Sequence, residues 1–528
     1  MKQKLLISLF AMFTSTIAWA DVEINEKNFP DENFRSFLLE QEYGSDGILT
    51  DTEIAGVTSI NVVSKNIQSL KGIEFFTALK ELDCRKNQLT ALDVTKNTAL
   101  TLLGCSSNQL TALDVSQNTA LTNLGCSTNQ LTSLDVSKNT ALAKLICWEN
   151  LLTALDVSKN TALDYLDCGR NELTSLDVSK NPALITFYCD DNQLTALDVS
   201  KNPALEELYC DYNQLTALDV SKNVALEKLY CDDNQLTSLD VTKNTALITL
   251  GCAYNQLTAL DVSKNTVLEY LACGYNPLTA LDVSKNTALE KLYCYKNQLT
   301  ALDVSKNTAL TELLCWGNRL TELDLSKNTA LDFLMCGENQ LTALDVSKNT
   351  ALTVLGCSDS QLTALDVSKN TALEELFCSD NQLTSLDVSK NPALNCLYCY
   401  QNQINGEKMD ALIESLPQLT EIGEFYVIYY ENEQNTMTTT QVAAAKAKGW
   451  PPFACTGLDD DGLEDWVEYG GSTRVEDIGI VSNETPEANW FTLDGRKISP
   501  SPNPSPVREG RKLPRGVYIH NGKKVIIK

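Results

Sequence analysis

Residues 100–120 read LTLLGCSSNQLTALDVSQNTA, and this stretch decides the fold. Its apolar positions are Leu100, Leu103, Cys105, Leu110, Leu113 and Val115, with Asn108 and Asn118 closing the two halves and Ala120 at the end. The unit L-x-x-L-x-C-x-x-N-Q-L-T-x-L-D-V-S-K-N-x-A recurs with a period of 21 residues, and 16 of the 18 Cys keep that interval from Cys84 to Cys399. A fixed period sustained this long predicts a solenoid, in which each coil rests on its neighbours. Leu103 and Cys105, and again Leu113 and Val115, are spaced to share one face of a short strand. A lone coil of 21 residues orders more chain than its buried side chains can offset, so the coils must stack. About 17 coils at a strand spacing of ~4.8 Å would extend roughly 80 Å.

The spacing L-x-x-L-x-C-x-x-N-x-L resembles the leucine-rich repeat, with Cys at the third apolar site. The second half, Leu110-x-x-Leu113-x-Val115-x-x-Asn118, repeats the pattern of the first, as in the short bacterial class with two half-repeats per coil. Residues Ile60-Asn61-Val62 through Ile73 form a looser first unit that resembles the entry repeats of internalin-like proteins. The expected fold is a mainly β repeat solenoid over 57–402, of about 17 units, after an N-terminal cap at 21–56.

Two Asn columns run through the repeats, one from Asn87 to Asn402 with a break at Ser360, the other from Asn97 to Asn391. Each coil must turn, and turns strand backbone polar groups inside; a short amide can bond them. The Cys column reads as buried thiols acting as small hydrophobes, with disulfides and metal binding as the alternatives. Parallel side chains in register do not reach the dihedral a disulfide needs. Cys396 and Cys455 lie off the column.

Comparing coils within the chain separates two surfaces. The half T-A-L-D-V-S-K-N-T-A barely changes and reads as a solvated wall, its Asp and Lys forming cross-coil ion pairs of small worth. The positions flanking Cys vary and carry aromatics and acids: Tyr188, Asp190 and Asp191; Tyr209, Asp211 and Tyr212; Tyr230, Asp232 and Asp233; then Tyr254 and Tyr275. Trp148, Tyr293, Tyr295, Trp316, Phe377, Tyr398 and Tyr400 continue the theme. The leucine-rich repeat resemblance implies that this strand face is concave and binds partners. Tyr suits such a surface because it offers a large contact area at low entropy cost. The competing reading is a Tyr ladder that stabilises the strands.

The ends carry addresses and caps. Lys2 and Lys4, the apolar run Leu5–Phe10 and Ala18-Trp19-Ala20 make 1–20 a signal peptide, with Asp21 as the expected mature start. No later apolar run is long enough for a membrane helix. Residues 403–469 read as an α/β C-terminal cap, with helices at 408–416 and 439–448 and a strand at 423–430. Its acidic loop resembles calcium loops: Asp459, Asp461 and Asp465 would supply side-chain oxygens, Leu463 a carbonyl and Glu468 a bidentate carboxylate, though Gly457 holds the first ligand position. No cofactor is required elsewhere. The run from Asp46 to Glu53 keeps only the Gly and final Glu of such a loop and reads as a capping turn. After a linker at 470–487, Asn489–Lys497 and Gly516–Lys528 resemble the small β sorting domain of the type IX secretion system, placed at 488–528. That resemblance implies handling by an export machinery and release or attachment at the cell surface.

The net charge of −27 repels phosphate backbones and argues against nucleic acid as a partner. With His520 the only imidazole, neither a His triad nor a two-His zinc site can form. Carboxylates sit in repeated columns rather than in one cleft, so an enzyme is not expected. The expected function is that of a secreted or surface leucine-rich repeat protein binding a protein or glycan, adhesion-like. The alternative is a rigid acidic spacer without a specific ligand.

Overall fold

The computed structural model describes residues 21–458 and 464–472, together with the backbone of short strands at 490–491, 497–498, 516–520 and 523–527. Residues 1–20, read as a signal peptide, and most of 488–528, read as a sorting domain, lie outside the described residues. The chain divides into two compact units, Met1–Gln256 and Leu257–Lys528.

The first unit opens with strand β1 (Val22–Glu23), helix α1 (Glu32–Leu39), strand β2 (Ile48–Leu49) and helix α2 (Asp51–Gly56). Asp31 caps α1 by accepting the Phe34 N–H at 3.0 Å, and its second oxygen takes the Gln68 N–H of the first coil at 2.7 Å. One carboxylate thereby fastens the cap to the repeats. Phe29 and Phe34 fill the joint against Phe76, all three buried. Asp46 accepts the Ile48 N–H and Thr50 forms a capping box with Glu53, so this run is the capping turn its sequence suggests.

Strands β3 to β12 then follow, each of three residues: Ser59–Asn61, Glu81–Asp83, Leu102–Gly104, Asn123–Gly125, Lys144–Ile146, Tyr165–Asp167, Thr186–Tyr188, Glu207–Tyr209, Lys228–Tyr230 and Thr249–Gly251. They pair in parallel, and from β4 each residue faces its counterpart one period on, as in Leu103 beside Leu124. Equivalent side chains must therefore stack in columns. Leu100, Leu103, Cys105, Leu110, Leu113 and Val115 are all buried, and so are their equivalents in every coil.

The Asn columns do the work expected of them. Asn108 donates to the carbonyls of Cys84 and Cys105 at 3.0 Å each and accepts the Leu89 N–H at 2.9 Å. Asn118 donates to Val94 and Asn97 carbonyls, both at 2.9 Å. The amide ties each coil to the one before it. It also holds a turn whose preceding residue lies in the left-handed region: Ser107, Asp191, Tyr212, Asp233 and Tyr254 all have φ between 49° and 57°. That conformation disfavours ordinary side chains, and the Asn bonds offset the cost.

The wall differs from its sequence reading. Asp177, Asp198 and Asp219 do not pair with Lys; each accepts the N–H of the Ser two residues on at 2.8 Å. Among the described residues, Lys180, Lys201 and Lys222 form no ion pair. A short turn puts the N–H within reach of the carboxylate, and the longer Lys side chain gains more from water than from a surface pair.

The second unit continues with β13 to β19: Tyr270–Ala272, Lys291–Tyr293, Glu312–Leu314, Phe333–Met335, Val354–Gly356, Glu375–Phe377 and Cys396–Tyr398. Helix α3 (Glu407–Ser415), strand β20 (Glu424–Ile428), helix α4 (Thr439–Ala447) and strand β21 (Pro452–Leu458) follow, with β20 and β21 extending the parallel sheet. Strand β22 (Glu464–Glu468) returns antiparallel to β21, a hairpin the sequence reading did not foresee. Beyond it lie β23 (Trp490–Phe491), paired with β24 (Lys497–Ile498), and β25 (Gly516–His520), paired with β26 (Lys523–Ile527), both antiparallel. Among the described residues no helix is long and apolar enough to cross a membrane.

Candidate functional site

Parallel register brings Tyr188, Tyr209 and Tyr230 side by side on β9, β10 and β11. Their rings stack, with centroids 4.4 Å apart for Tyr188–Tyr209 and 4.7 Å for Tyr209–Tyr230. Tyr165 leans on Tyr188 from the preceding coil at 5.8 Å. The Tyr188 hydroxyl donates to Glu207 Oε2 at 3.0 Å, and Lys228 Nζ donates to Glu207 Oε1 at 2.9 Å. The rings are half-buried, with Tyr209 sandwiched between the other two and all three open toward solvent. Burial, followed by the Glu207 contact, raises the Tyr188 hydroxyl above its ordinary pKa.

Two residues further on lies the file Asp190, Asp211 and Asp232, all half-buried. Asp232 Oδ1 accepts the Ala253 N–H of the next coil at 2.7 Å. Asp167, on the outward site of β8, accepts the Gly169 N–H at 3.3 Å. Burial pushes the carboxyls of Asp167 and Asp232 up to about 7. Glycines make room at both ends of the file: a Cβ on Gly169 would lie 2.7 Å from Asp190 Oδ1, and one on Gly251 2.4 Å from Asp232 Oδ2.

The other candidates separate from this patch. Asp191, Tyr212, Asp233 and Tyr254 occupy the left-handed turn position at the edge of the strand face, with Tyr212 39% exposed. Tyr275, also at that position, belongs to the second unit. There it meets Tyr295 at 5.7 Å and Trp316 at 6.3 Å, while Tyr295 and Trp316 stack in parallel at 5.1 Å. Sequence reasoning missed Tyr165, Asp167, Glu207 and Lys228. They occupy the outward strand sites before Leu and before Cys, and treating both sites as surface columns would have found them.

Of the calcium set, Asp459, Asp461 and Leu463 lie outside the described residues. Asp465 and Glu468 stand three apart on β22, which turns them to opposite faces. Asp465 accepts from Thr456 Oγ1 at 3.1 Å and Glu468 pairs with Lys446. Nearby, Glu464 accepts the Tyr429 hydroxyl and Trp466 Nε1 at 3.0 Å each, fixing an aromatic cluster with Tyr400 and Tyr398. All 18 Cys are buried and none forms a disulfide, Cys396 and Cys455 included. Burial drives the column thiols well above their ordinary pKa.

No family profile matches the sequence. Internalin J of Listeria monocytogenes serotype 4b is 40% identical over 71 residues, a stretch covering 13% of this chain and 8% of that protein. The chain thus matches under a tenth of that relative's length. A solved functional domain of InlJ from Listeria monocytogenes, which includes a cysteine ladder, is 38% identical with a TM-score of 0.64; the match covers 74% of this chain and 83% of that one. This chain is an internalin-like leucine-rich repeat protein. Its own column from Cys84 to Cys399 gives it a cysteine ladder too. The plant peptide hormone receptor RGFR1, solved in complex with RGF2, shares the fold at a TM-score of 0.65 and 18% identity, over 77% of this chain and 76% of that one.

Proposed function

We propose that this internalin-like chain is an exported or surface-attached, adhesion-like protein that binds a protein partner through the strand face of its repeats. One observation carries the reading: coils that are otherwise near copies diverge at the outward strand sites. Residues 195–201 and 216–222 are identical, TALDVSK, whereas the strand and the sites after it change from TFYCDD to ELYCDY to KLYCDD. The wall residues have structural duties in turns, while the strand face holds rings and acids that the turns do not need. Export rests on the signal-like 1–20 and the sorting-like tail, both readings of sequence.

The spacer reading is favoured by a different observation, the Tyr stack locked by Glu207 and Lys228. The two are separated by immobilising the full mature chain and its Tyr188→Ala, Tyr209→Ala, Tyr230→Ala triple variant against cell-surface protein extracts. Binding predicts a partner captured by the parent and by a Lys201→Ala, Lys222→Ala, Lys243→Ala control but lost by the Tyr variant. A spacer predicts no protein enriched by the parent over the Tyr variant. Export is tested by deleting Asn489–Lys528, which should leave folded protein retained within the envelope.

A further inference from the structure

We infer that the partner segment seated on β8 to β11 is cationic: an extended protein segment carrying Lys or Arg side chains, its aliphatic stems on the Tyr stack and its charged heads on the Asp file. This rests on the strand face being the binding face.

The Tyr column ends strands β9 to β11 and the Asp file follows two residues later in the same coils, so one ligand passing across the strands meets both. Each Asp sits one strand from the next, about 4.8 Å away, where like charges repel. The fold does not require this arrangement. The same column holds Ser106, Ser127 and Trp148 in earlier coils, and Gly274, Tyr295 and Trp316 in the second unit. The Asp232–Ala253 bond needs an acceptor but not a charge; Ser106 Oγ serves the Ser127 N–H in the same way at 3.1 Å. The clearance at Gly169 leaves room for the Asp190 carboxylate, and that at Gly251 for the Asp232 carboxylate together with the Tyr230 ring. Lys228 of β11 is held by Glu207 of β10. Above the pH of about 7 to which burial raises Asp232, a half-buried row of carboxylates beside aromatic faces complements Lys or Arg, whose stems cover rings while the heads reach carboxylates, so binding is read at pH 8.

The test uses the full mature chain and fluorescein-labelled alternating peptides, (Ala-Lys)5 and (Ala-Glu)5, read by fluorescence anisotropy. The expected result is binding of the Lys peptide only, weakening with added salt. The Asp190→Asn, Asp211→Asn, Asp232→Asn variant should lose at least tenfold in affinity without a lower melting temperature. Asp211→Asn alone, which leaves the Ala253 bond intact, should lose about threefold. A control, Asp177→Asn, Asp198→Asn, Asp219→Asn, removes the same charge from the wall and should bind like the parent. The proposal is overturned if the file and wall variants lose affinity equally, if the Lys peptide binds the file variant unchanged, if the file variant melts much earlier than the parent, or if maltoheptaose binds in its place. Failure of the peptide arm while the Tyr triple variant still loses its captured partner would sink the cationic segment alone. Failure of both would remove the binding face itself.

Discussion

The Tyr188 hydroxyl reaches one coil forward to Glu207 at 3.0 Å, and the same carboxylate takes Lys228 from the coil after that at 2.9 Å. Three successive strands are therefore linked across the face proposed to bind. Tyr188→Phe keeps the ring stack and removes only the hydroxyl, and should cost on the order of 1 kcal/mol in urea denaturation. Tyr188→Ala should cost more, since it also ends the 4.4 Å stack with Tyr209. Equal losses for the two variants would mean that the stack contributes nothing.

The buried amides should be the most sensitive positions in the chain. Asn202→Ala strips donors from the carbonyls of Val178 and Asn181, now bonded at 3.0 and 2.8 Å. A loss of about 2–4 kcal/mol is expected from orphaned buried acceptors and the space left behind. The reverse change is available at Ser360, whose Oγ is buried without a hydrogen-bond partner among the described residues. Ser360→Asn restores the residue found in neighbouring coils and should raise stability by roughly 1 kcal/mol in the same assay. A destabilised Ser360→Asn would show that the gap is built for Ser.

Most of the fold was legible because a period leaves no freedom. Once Cys105 and Cys126 are equivalent, so are the strands and turns between them, and the Asn columns follow from the backbone groups each turn strands. The site was only partly legible. Parallel register foretold the Tyr188, Tyr209 and Tyr230 column, but Tyr212 and Asp233 look equivalent to them in sequence and sit instead in a left-handed turn. Glu207 and Lys228 were missed because charges on strands read as solvated. Nothing in the alternation of β22 was visible in its acidic sequence, so the opposite faces of Asp465 and Glu468 were not read from it.

Stability should peak in mild acid. Asp167 and Asp232 titrate at about 7 in the native chain, because burial disfavours their charge. Unfolded carboxyls titrate near 4. The native state thus holds protons that the unfolded state has released, and stability falls as pH rises from about 4 to about 7. The wall carboxyls Asp177, Asp198 and Asp219 run the other way: the Ser N–H bonds lower their pKa, and their contribution is lost as pH falls below the unfolded value. Melting temperatures across pH 3 to 8 should rise and then fall, and Asp167→Asn with Asp232→Asn should flatten the descending side. A profile that climbs steadily to pH 8 contradicts the burial of these groups.

The thiol column makes a kinetic prediction. Its Cys are buried and their thiolates are strongly disfavoured, so a thiol reagent at pH 8 should react with the native chain only as fast as coils open. In denaturant all 18 should react. Mass mapping of several native disulfides would instead place the column in the class of covalent staples.

Calcium provides the last test, and the antiparallel strands β21 and β22 determine what to expect. A tight site needs its carboxylates to converge, with one of them bidentate. Strand β22 sends Asp465 and Glu468 to opposite faces, and Glu468 is paired with Lys446 of α4. Calcium held here would draw on Asp459 and Asp461 with the Leu463 carbonyl and Asp465, a set without a bidentate Glu. Titration calorimetry of the full mature chain should accordingly give a Kd no tighter than about 1 mM, at the weak end of extracellular sites. Asp465→Asn should weaken that binding further. Glu468→Gln should leave calcium unaffected and lower the melting temperature slightly through the lost Lys446 pair. Micromolar affinity abolished by Glu468→Gln would show that the ion reorganises β22 and draws Glu468 away from Lys446.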